Sequence, residues 1–374
     1  MEDFKSKKIL FIFGTRPEAI KMAPVIKSFQ KESCFETRIC ITAQHREMLD
    51  QVLHFFELQP DYDLDLMQKN QDLTTLTSRA LAALKVPFED FKPDLVLVHG
   101  DTTTTMTASL AAFYAGIKVG HVEAGLRTFN LQSPFPEELN RQFTSKIADF
   151  HFAPTQQAQA NLVAENISEE EIVITGNTVI DALQETVVKI KKLKPSFAAG
   201  IPFESKKIIL VTGHRRENFG DGMQRVCNVL KEIALAREEV HFVYPVHLNP
   251  NVQTVVEKTL GGVSNISLIA PLEYPDFVWL LNESYFIITD SGGVQEEAPS
   301  LGKPVIVTRD TTERPEAVNA GTVKLVGTNA EQLKTEVLEL IDNVEAYKKM
   351  SSAHNPYGDG KAAQRIVDFV KHRL

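Results

Sequence analysis

The chain has 374 residues, of which 43% are hydrophobic and 24% are charged, as is usual for a folded globular protein. This length is too great for one compact core, so we expect two domains. The formal net charge of -9 argues against nucleic acid or an anionic membrane as a partner. No membrane-length apolar run or signal-peptide pattern occurs, and the three cysteines have no metal or redox spacing, which predicts a cytoplasmic protein.

Short apolar strands alternate with amphipathic helical stretches along the whole chain. This alternation predicts βαβ units and parallel sheets, and therefore an α/β fold. The predicted strands, in chain order, are Ile9–Phe13, Thr37–Thr42, Leu95–His99, Val119–Glu123, Phe150–Ala153, Ile208–Thr212, His241–Val246, Ile266–Ile269, Phe286–Thr289 and Pro304–Val307.

Two segments of the sequence resemble each other. KKILFIFGTRPE (Lys7–Glu18) and KKIILVTGHRRE (Lys206–Glu217) each predict a strand, a glycine turn and a helix. We interpret them as the starts of two similar α/β domains, at 1–172 and 173–359, with a closing helix at 360–374 that packs back on the first. Chance similarity of two strand–helix starts is the alternative. Ligands of such sheets bind beyond the carboxyl ends of the strands, so two facing domains would share one cleft.

The loop after the first predicted strand, Gly14–Glu18, is suited to binding a diphosphate. Arg16 can bind phosphate oxygens bidentately, and Lys21 follows one turn later on the predicted helix. A surface position is the common alternative for Lys21. The loop lacks the G-x-G-x-x-G pattern, so the expected fingerprint of a dinucleotide cofactor is absent.

Three carboxylates lie at predicted strand ends or on a proline-stiffened loop. Asp101 follows the third predicted strand, Glu123 ends the fourth, and Glu137 follows Ser133–Pro136. Carboxylates that converge on one cleft suit proton abstraction and delivery. The threonine run at 102–105 suits hydrogen bonding to a polar ligand.

Other polar groups of these segments are expected to be structural. We interpret Glu138 as a helix-start charge favoured by the helix dipole, and His99 and His121 as buried residues. The His-x-Asp pair at 99 and 101 and the His-x-Glu pair at 121 and 123 would form a metal site if their side chains met at one point. No H-E-x-x-H motif or cysteine cluster supports that alternative, so we expect no metal.

The second domain carries the cationic and phosphate-binding candidates. His214 and Arg215 follow the predicted strand Ile208–Thr212, where positive charge would stabilise a leaving phosphate. Further on, Phe286–Thr289 runs into Asp290-Ser291-Gly292-Gly293 and a predicted helix, which is typical of an anion site at unpaired backbone N–H groups. An ordinary strand–helix turn is the alternative.

Three further residues complete a nucleotide site. Glu297 lies one turn after Gly293 and can reach ribose hydroxyls, and Arg314 follows the last predicted strand. Phe277 can pack on a base, although a core position is an equal alternative. A phosphate site beside a group that binds a sugar diol indicates a nucleotide.

Seven segments, in order along nearly the whole chain, together resemble a known family. They read GTRPEAIKMAP, HGDTTTT, HVEAGLRT, SPFPEELNR, GHRRENFG, DSGGVQEEAPSLGKP and RDTTERPEA. The family is that of the non-hydrolysing bacterial UDP-N-acetylglucosamine 2-epimerases. The resemblance implies a GT-B fold of two Rossmann-like domains facing across a cleft, a homodimer, and no nicotinamide, metal or other cofactor. It also implies reversible conversion of UDP-N-acetylglucosamine to UDP-N-acetylmannosamine, which feeds surface polysaccharide synthesis.

The resemblance further implies roles for individual residues. Those matching catalytic residues are Asp101, Glu123, Glu137 and His214. Those matching substrate-binding residues are Arg16, Lys21, Phe277, Ser291, Gly292, Gly293, Glu297 and Arg314. Those matching an activator site, where some members bind a second substrate molecule, are Gln44, Arg215 and His247. Glu47 and Asn70 stand where activated members carry Gln and Arg, so activation stays open. Leu272 replaces a Gln that some members place near the base, so the contacts to uracil stay open.

The expected chemistry is inversion at carbon 2 of the sugar. That C–H bond has no adjacent carbonyl group, and oxidation at carbon 3 would need the dinucleotide whose motif is absent. Elimination of UDP to give 2-acetamidoglucal, followed by re-addition, is the remaining route, and any pairing among the three carboxylates fits it. A GT-B glycosyltransferase, a non-catalytic nucleotide-sugar-binding regulator and a hydrolysing epimerase are the alternatives.

Overall fold

The computed structural model of the chain contains two compact units. The first unit comprises the described residues up to Gln184 together with Tyr357–Leu374, and the second unit comprises Glu185–Pro356. The residues that the structure describes are 6–43, 46–66, 71–215, 218–312 and 314–374.

Seven parallel strands form the sheet of the first unit, in the order β3-β2-β1-β4-β5-β6-β7. The strands are β1 Lys7–Phe13, β2 Phe35–Ile41, β3 Tyr62–Asp63, β4 Leu95–His99, β5 Lys118–Val122, β6 Phe150–Ala153 and β7 Ile172–Ile174. The helices are α1 Arg16–Gln30, α2 Arg46–Phe55, α3 Leu73–Ala83, α4 Lys85–Phe91, α5 Thr103–Tyr114, α6 Glu137–Ile147, α7 Gln156–Ala164 and α8 Thr178–Ile190, the last of which runs on into the second unit.

Six parallel strands form the sheet of the second unit, in the order β10-β9-β8-β11-β12-β13. The strands are β8 Lys207–Thr212, β9 Val240–Pro245, β10 Ile266–Ile269, β11 Phe286–Thr289, β12 Val305–Val307 and β13 Val323–Leu325. The remaining helices are α9 Asp221–Ala236, α10 Pro250–Leu260, α11 Tyr274–Glu283, α12 Gly292–Glu297, α13 Pro315–Asn319, α14 Ala330–Asp342, α15 Val344–Ser351 and the closing helix α16 Ala362–Arg373.

The central strands are apolar and buried, as expected where helices cover both faces of a parallel sheet. Every residue of Ile9–Phe13 in β1 is fully buried, and so is every residue of Leu95–Val98 in β4. The closing helix adds to the first unit, because the ring of Phe369 meets those of Phe150 and Phe152 edge-on, at centroid distances of 5.5 and 5.8 Å. No helix in the described part of the chain is long and apolar enough to cross a membrane.

The first unit extends beyond residue 172, where the sequence analysis placed its end. Strand β7 pairs with β6, and the start of α8 is bonded to the closing helix. The carboxylate of Asp181 accepts hydrogen bonds from the backbone N–H groups of Ala362 (3.2 Å) and Ala363 (2.9 Å). The chain therefore leaves the first unit inside a helix, not in the loop before it.

The order of the strands reverses at one point in each sheet, between β1 and β4 and between β8 and β11. The two similar segments of the sequence form β1 and β8, so each provides the first strand beside its switch point. In open α/β sheets ligands bind at this point, beyond the carboxyl ends of the strands. The loops after these four strands carry Arg16, Asp101, His214 and Ser291.

We predict that Gly125→Ala destabilises the first unit by about 3 kcal/mol or more, since backbone strain and a clash with a backbone atom add. Gly125 has a φ of +93°, and a Cβ there would lie 2.2 Å from the carbonyl oxygen of Ala158. The measurement is the midpoint of unfolding in urea, with circular dichroism as the signal. Gly116→Ala is the control: its φ is +68° with nothing within 4 Å of a Cβ, so it should cost only about 1–2 kcal/mol. Equal midpoints for the two variants would contradict the prediction.

Candidate active site

Glu18 ties together the two loops at the switch point of the first sheet. Its Oε2 accepts hydrogen bonds from the backbone N–H groups of Gly14 (3.1 Å) and Thr15 (2.8 Å). Its Oε1 accepts from the hydroxyls of Thr102 (2.8 Å) and Thr105 (3.2 Å) in the loop and helix after β4. Burial raises the pKa of this carboxyl, although these hydrogen bonds oppose the shift. Sequence reasoning gave Glu18 no role, but Thr15-x-x-Glu18 is a capping-box pattern and was the available signal.

The threonine run at 102–105 is largely structural, which corrects the expectation that it binds a polar ligand. The hydroxyls of Thr102 and Thr105 serve Glu18, and Thr104 Oγ1 lies 2.8 Å from Thr42 Oγ1. Gly14 leaves room for this pair, because a Cβ there would lie 2.1 Å from Thr42 Oγ1. The run therefore packs the two loops against each other.

Glu123 follows β5 in a left-handed backbone conformation, with a φ of +64°. Its Oε2 accepts hydrogen bonds from the ammonium of Lys21 and from Nδ2 of Asn177 (2.8 Å), and it lies 3.8 Å from Nε2 of His99. A left-handed non-glycine residue costs about 1–2 kcal/mol, and such strain is concentrated at functional sites. Lys21, which the family resemblance assigned to substrate binding, is thus paired with a candidate catalytic carboxylate.

Helix α6 brings two candidate carboxylates into one neighbourhood. Arg141 donates a hydrogen bond to Oδ2 of Asp101, and Nδ2 of Asn140 donates to its backbone oxygen at 2.9 Å. Glu137 is the first residue of the same helix. Burial raises the pKa of Asp101, Arg141 opposes this, and the charges of Glu123 and Glu137 raise the pKa further. Asp101 therefore lies near both Glu123 and Glu137, and Arg141 contacts a candidate site residue although sequence reasoning missed it.

Glu138 lies in the first turn of α6, as expected for a helix-start charge, and it also has a second structural role. Its buried carboxylate accepts hydrogen bonds from the backbone N–H groups of Thr128 (3.1 Å) and Phe129 (3.0 Å) and from Nε2 of Gln142 (2.8 Å). These contacts hold the loop between β5 and α6, and so determine where α6 places Glu137.

Three buried histidines lie on neighbouring strands of the first sheet. His99, His121 and His151 are each at most 3% exposed, which agrees with the structural interpretation of the first two. Burial lowers the pKa of His99 to about 4, of His121 to about 3 and of His151 to about 4. Within the described ranges, no group of three or more His, Cys, Asp or Glu side chains is arranged to hold a metal ion.

Asp290 holds the cationic loop of the second unit. Its Oδ2 accepts hydrogen bonds from the backbone N–H groups of His214 (2.9 Å) and Arg215 (2.8 Å), and its Oδ1 lies 3.3 Å from Nδ1 of His214. The ring of His214 is half-exposed and stacks on that of His247, with centroids 5.6 Å apart. Burial lowers the pKa of His214, while Asp290 opposes the shift. Sequence reasoning did not assign a role to Asp290, which is fully buried.

The loop after β11 gathers the anion-binding candidates. A Cβ on Gly292 would lie 3.1 Å from Cζ of Arg314, so glycine allows the guanidinium to lie against the start of α12. Arg314 is oriented by buried Glu296, whose Oε1 accepts a 2.8 Å hydrogen bond from Nε. The N–H of Ser291 donates to Oγ1 of Thr289 at 2.9 Å, and Gly293 has open space at its Cβ position up to 4.0 Å.

For the remaining predicted site residues the structure gives mainly their exposure and few contacts. Glu297 is buried at the end of α12 and accepts a 3.5 Å hydrogen bond from the hydroxyl of Tyr274, while Phe277 is half-buried on α11. Arg16 and Arg215 are half-buried, His247 is exposed, and Gln44 lies outside the described residues. Nε of Arg215 is buried without a hydrogen-bond partner among the residues that the structure describes.

Most of the chain matches one protein family. The family model described as UDP-N-acetylglucosamine 2-epimerase matches residues 27–371. The chain belongs to this family. It is 57% identical over 370 residues to UDP-N-acetylglucosamine 2-epimerase of Escherichia coli (strain K12), covering 98% of each chain.

Solved structures of the family agree. The UDP-GlcNAc 2-epimerase of Neisseria meningitidis bound to UDP-GlcNAc is 52% identical with a TM-score of 0.89, over 98% of this chain and 100% of that one. The Methanocaldococcus jannaschii enzyme in complex with UDP-GlcNAc and UDP is 33% identical with a TM-score of 0.79, over 98% and 99%. The predicted family and the predicted fold class, two Rossmann-like parallel-sheet domains of the GT-B type, are therefore confirmed. The predicted enzyme class, an isomerase of the 2-epimerase type, is confirmed at the level of the family.

The buried histidines predict that the first unit is sensitive to acid. Their folded-state pKa values lie below the ordinary value of 6.5, so between pH 6.5 and about 4 the unfolded chain binds protons that the folded chain does not. The contribution of these neutral histidines to the free energy of unfolding is therefore fully present above pH 6.5 and is lost as the pH falls towards 4. The urea midpoint should fall over this window, and less steeply in His151→Gln than in the wild type or in His54→Gln, which alters an exposed ring. Parallel curves for all three proteins would contradict this.

Proposed function

We propose that the chain interconverts UDP-N-acetylglucosamine and UDP-N-acetylmannosamine by inversion at carbon 2, and that it serves surface polysaccharide synthesis. The observation that carries the proposal is that two carboxylates beyond the strands of the first sheet, Asp101 and Glu123, are held by hydrogen bonds from Arg141 and Lys21, in a member of the 2-epimerase family. Relatives whose structures are described with UDP-GlcNAc support the choice of substrate. We also retain a homodimer, and an activator site that includes Arg215 and His247, as proposals from the family resemblance.

We propose that the second unit binds the UDP moiety. The hydroxyl of Ser291, the backbone N–H groups of Gly292 and Gly293 and the guanidinium of Arg314 are the ligands we assign to the diphosphate, because Gly292 lets the guanidinium lie against the start of α12. Glu297 is assigned to the ribose hydroxyls and Phe277 to the base. Arg16 is also assigned to the diphosphate, as the family resemblance implies.

The reaction proceeds by elimination and re-addition. A carboxylate takes the proton from carbon 2, its electron pair forms the C1=C2 double bond, and the C1–O bond breaks with its pair left on the UDP oxygen. The products of this half are 2-acetamidoglucal and UDP. In the second half the UDP oxygen attacks carbon 1, and a carboxylic acid delivers a proton to the opposite face of carbon 2. No oxidant or reductant is consumed.

Charge stabilisation and proton transfer fall to different residues. His214 is assigned to the oxygen that leaves with UDP, where a hydrogen-bond donor lowers the barrier. We assign Glu123 as a base, because the hydrogen bonds from Lys21 and Asn177 favour its charged form. Asp101, whose pKa is raised by burial, and Glu137 are assigned to proton exchange on the other face.

We predict that epimerisation in deuterium oxide places one solvent deuteron at carbon 2 in each conversion and leaves the hydrogen at carbon 3 unchanged. The measurement is proton NMR of the protein with UDP-N-acetylglucosamine in EDTA, without added nicotinamide. Asp101→Asn and Glu137→Gln should lower turnover by about 10²–10⁴-fold, the contribution of a positioned acid or base, with little change in UDP affinity. Glu345→Gln, an exposed carboxylate on α15, is the control.

The same spectra separate the alternatives. Free N-acetylmannosamine would indicate a hydrolysing epimerase, and no reaction without a sugar acceptor would favour a glycosyltransferase. Product that retains the original hydrogen at carbon 2 would exclude elimination.

We predict that Glu297→Ala weakens UDP binding by about 1–3 kcal/mol, because hydrogen bonds from the ribose to a charged group are lost. Isothermal titration calorimetry with UDP measures this. Glu331→Ala, at the start of α14 in the same unit, should bind UDP as the wild type does. Unchanged affinity in Glu297→Ala would remove this residue from the site.

A further inference from the structure

One contact to Glu123 comes from a residue for which the sequence analysis gave no role. Asn177 lies between β7 and α8, and its Nδ2 donates a 2.8 Å hydrogen bond to Oε2 of Glu123. The same oxygen accepts the hydrogen bond from Lys21. Asn177 is only 3% exposed, so this hydrogen bond is shielded from water.

Asn177 is held in place from three directions. Its backbone N–H donates to the carbonyl oxygen of Tyr357 at 2.7 Å, and its Oδ1 accepts from the N–H of Val179 at 3.0 Å. The second contact caps the start of α8, which begins at Thr178. With Glu123 as the third partner, the side-chain amide cannot turn without breaking two hydrogen bonds. A donor that is fixed in this way can fix the orientation of the carboxylate it contacts.

The backbone next to Asn177 is fixed as well, because it contacts the segment at which the chain re-enters the first unit. Gly176 and Gly358 have φ values of +86° and +130°, and a Cβ on Gly176 would lie 3.2 Å from Cα of Gly358. Two glycines thus allow the outgoing and returning segments to touch. Glu123, by contrast, has a strained backbone and needs such support from its neighbours.

We propose that Asn177 is a positioning residue for Glu123, orienting the carboxylate for proton exchange with carbon 2 and helping Lys21 to keep it charged. The inference rests on the proposed function, since it assumes that Glu123 exchanges that proton. Charged or titratable groups that act on Glu123 include Lys21 from α1, His99 from β4 and Asp101 from the loop after β4. Asn177 adds a neutral donor to these groups.

Asn177→Asp tests the proposal with little risk to the fold. An aspartate keeps the oxygen that caps α8, but it replaces the donor with a second negative group beside Glu123. We expect kcat to fall by about tenfold or more while KM for UDP-N-acetylglucosamine changes less than about threefold. The pH profile of kcat should move to higher pH, because a neighbouring negative charge makes Glu123 easier to protonate. Asn177→Ser keeps a capping oxygen but is too short to reach Glu123. It should also lower kcat, and it should move the pH profile of kcat less than Asn177→Asp does.

The matched control is Asn329→Asp. Asn329 caps α14 in the same manner, with Oδ1 accepting from the N–H of Gln332 at 3.0 Å, and no carboxylate contact is described for it. This variant should keep the wild-type kcat and pH profile, and its melting temperature shows what an Asn-to-Asp change at a cap costs.

The outcomes separate the inference from the function beneath it. Wild-type kcat and pH profile in Asn177→Asp would overturn the inference, and so would a loss of activity equal at every pH, which would make Asn177 merely structural. If Asn177→Asp unfolds, Asn177→Ser decides by the same two measurements. If the wild type and Asn329→Asp both fail to convert UDP-N-acetylglucosamine, the proposed function has failed, and the inference with it.

Discussion

A buried carboxylate at the switch point of each sheet is the constraint on which both candidate half-sites depend. Glu18 does this in the first unit and Asp290 in the second, and each accepts hydrogen bonds from two consecutive backbone N–H groups. A buried polar group that loses its hydrogen-bond partner costs about 1–3 kcal/mol. The loops are therefore held in the one conformation that satisfies the carboxylate. The functional side chains project from those same loops.

The two units reach this arrangement from opposite sides of the switch point. In the first unit the carboxylate comes from the helix after β1 and binds hydroxyls from the neighbourhood of β4. In the second it comes from the loop after β11 and binds the backbone after β8. The side chains outside these hydrogen bonds differ accordingly. They are Asp101 in the loop after β4 of the first unit and His214 after β8 of the second. Similar sheets thus present the carboxylate of Asp101 in one unit and the imidazole of His214 in the other.

The sequence was most informative about the order of strands and helices. Alternating strands and helices predicted the parallel sheets, and the similar segments formed the first strand of each. The strands that escaped prediction, β3, β7 and β13, have only two or three residues and are partly exposed, whereas β12, which is as short as β7 and β13, is fully buried and was predicted. The extent of the first unit beyond residue 172 depends on Asp181, whose carboxylate meets the closing helix 181 positions further along the chain.

Pairings between distant residues were the part of the site that sequence reasoning could not supply. Lys21 and Glu123 are separated by 102 positions, and Asp101 and Arg141 by 40. Residue type and spacing cannot show that a lysine on one helix will neutralise a carboxylate beyond another strand. The run of threonines was misread for a related reason, because its partner, Glu18, lies 84 and 87 positions away from Thr102 and Thr105.

Glu123 shows why these pairings matter for catalysis. A left-handed glutamate is unfavourable by itself, so the surrounding contacts must hold it there. Lys21 approaches from α1 and Asn177 from the segment before α8, while His99 stays neutral nearby because burial lowers its pKa to about 4. A carboxylate fixed from separate elements loses little freedom when a substrate binds. In the proposed reaction this preorganisation would place Glu123, as the base, before the leaving group departs.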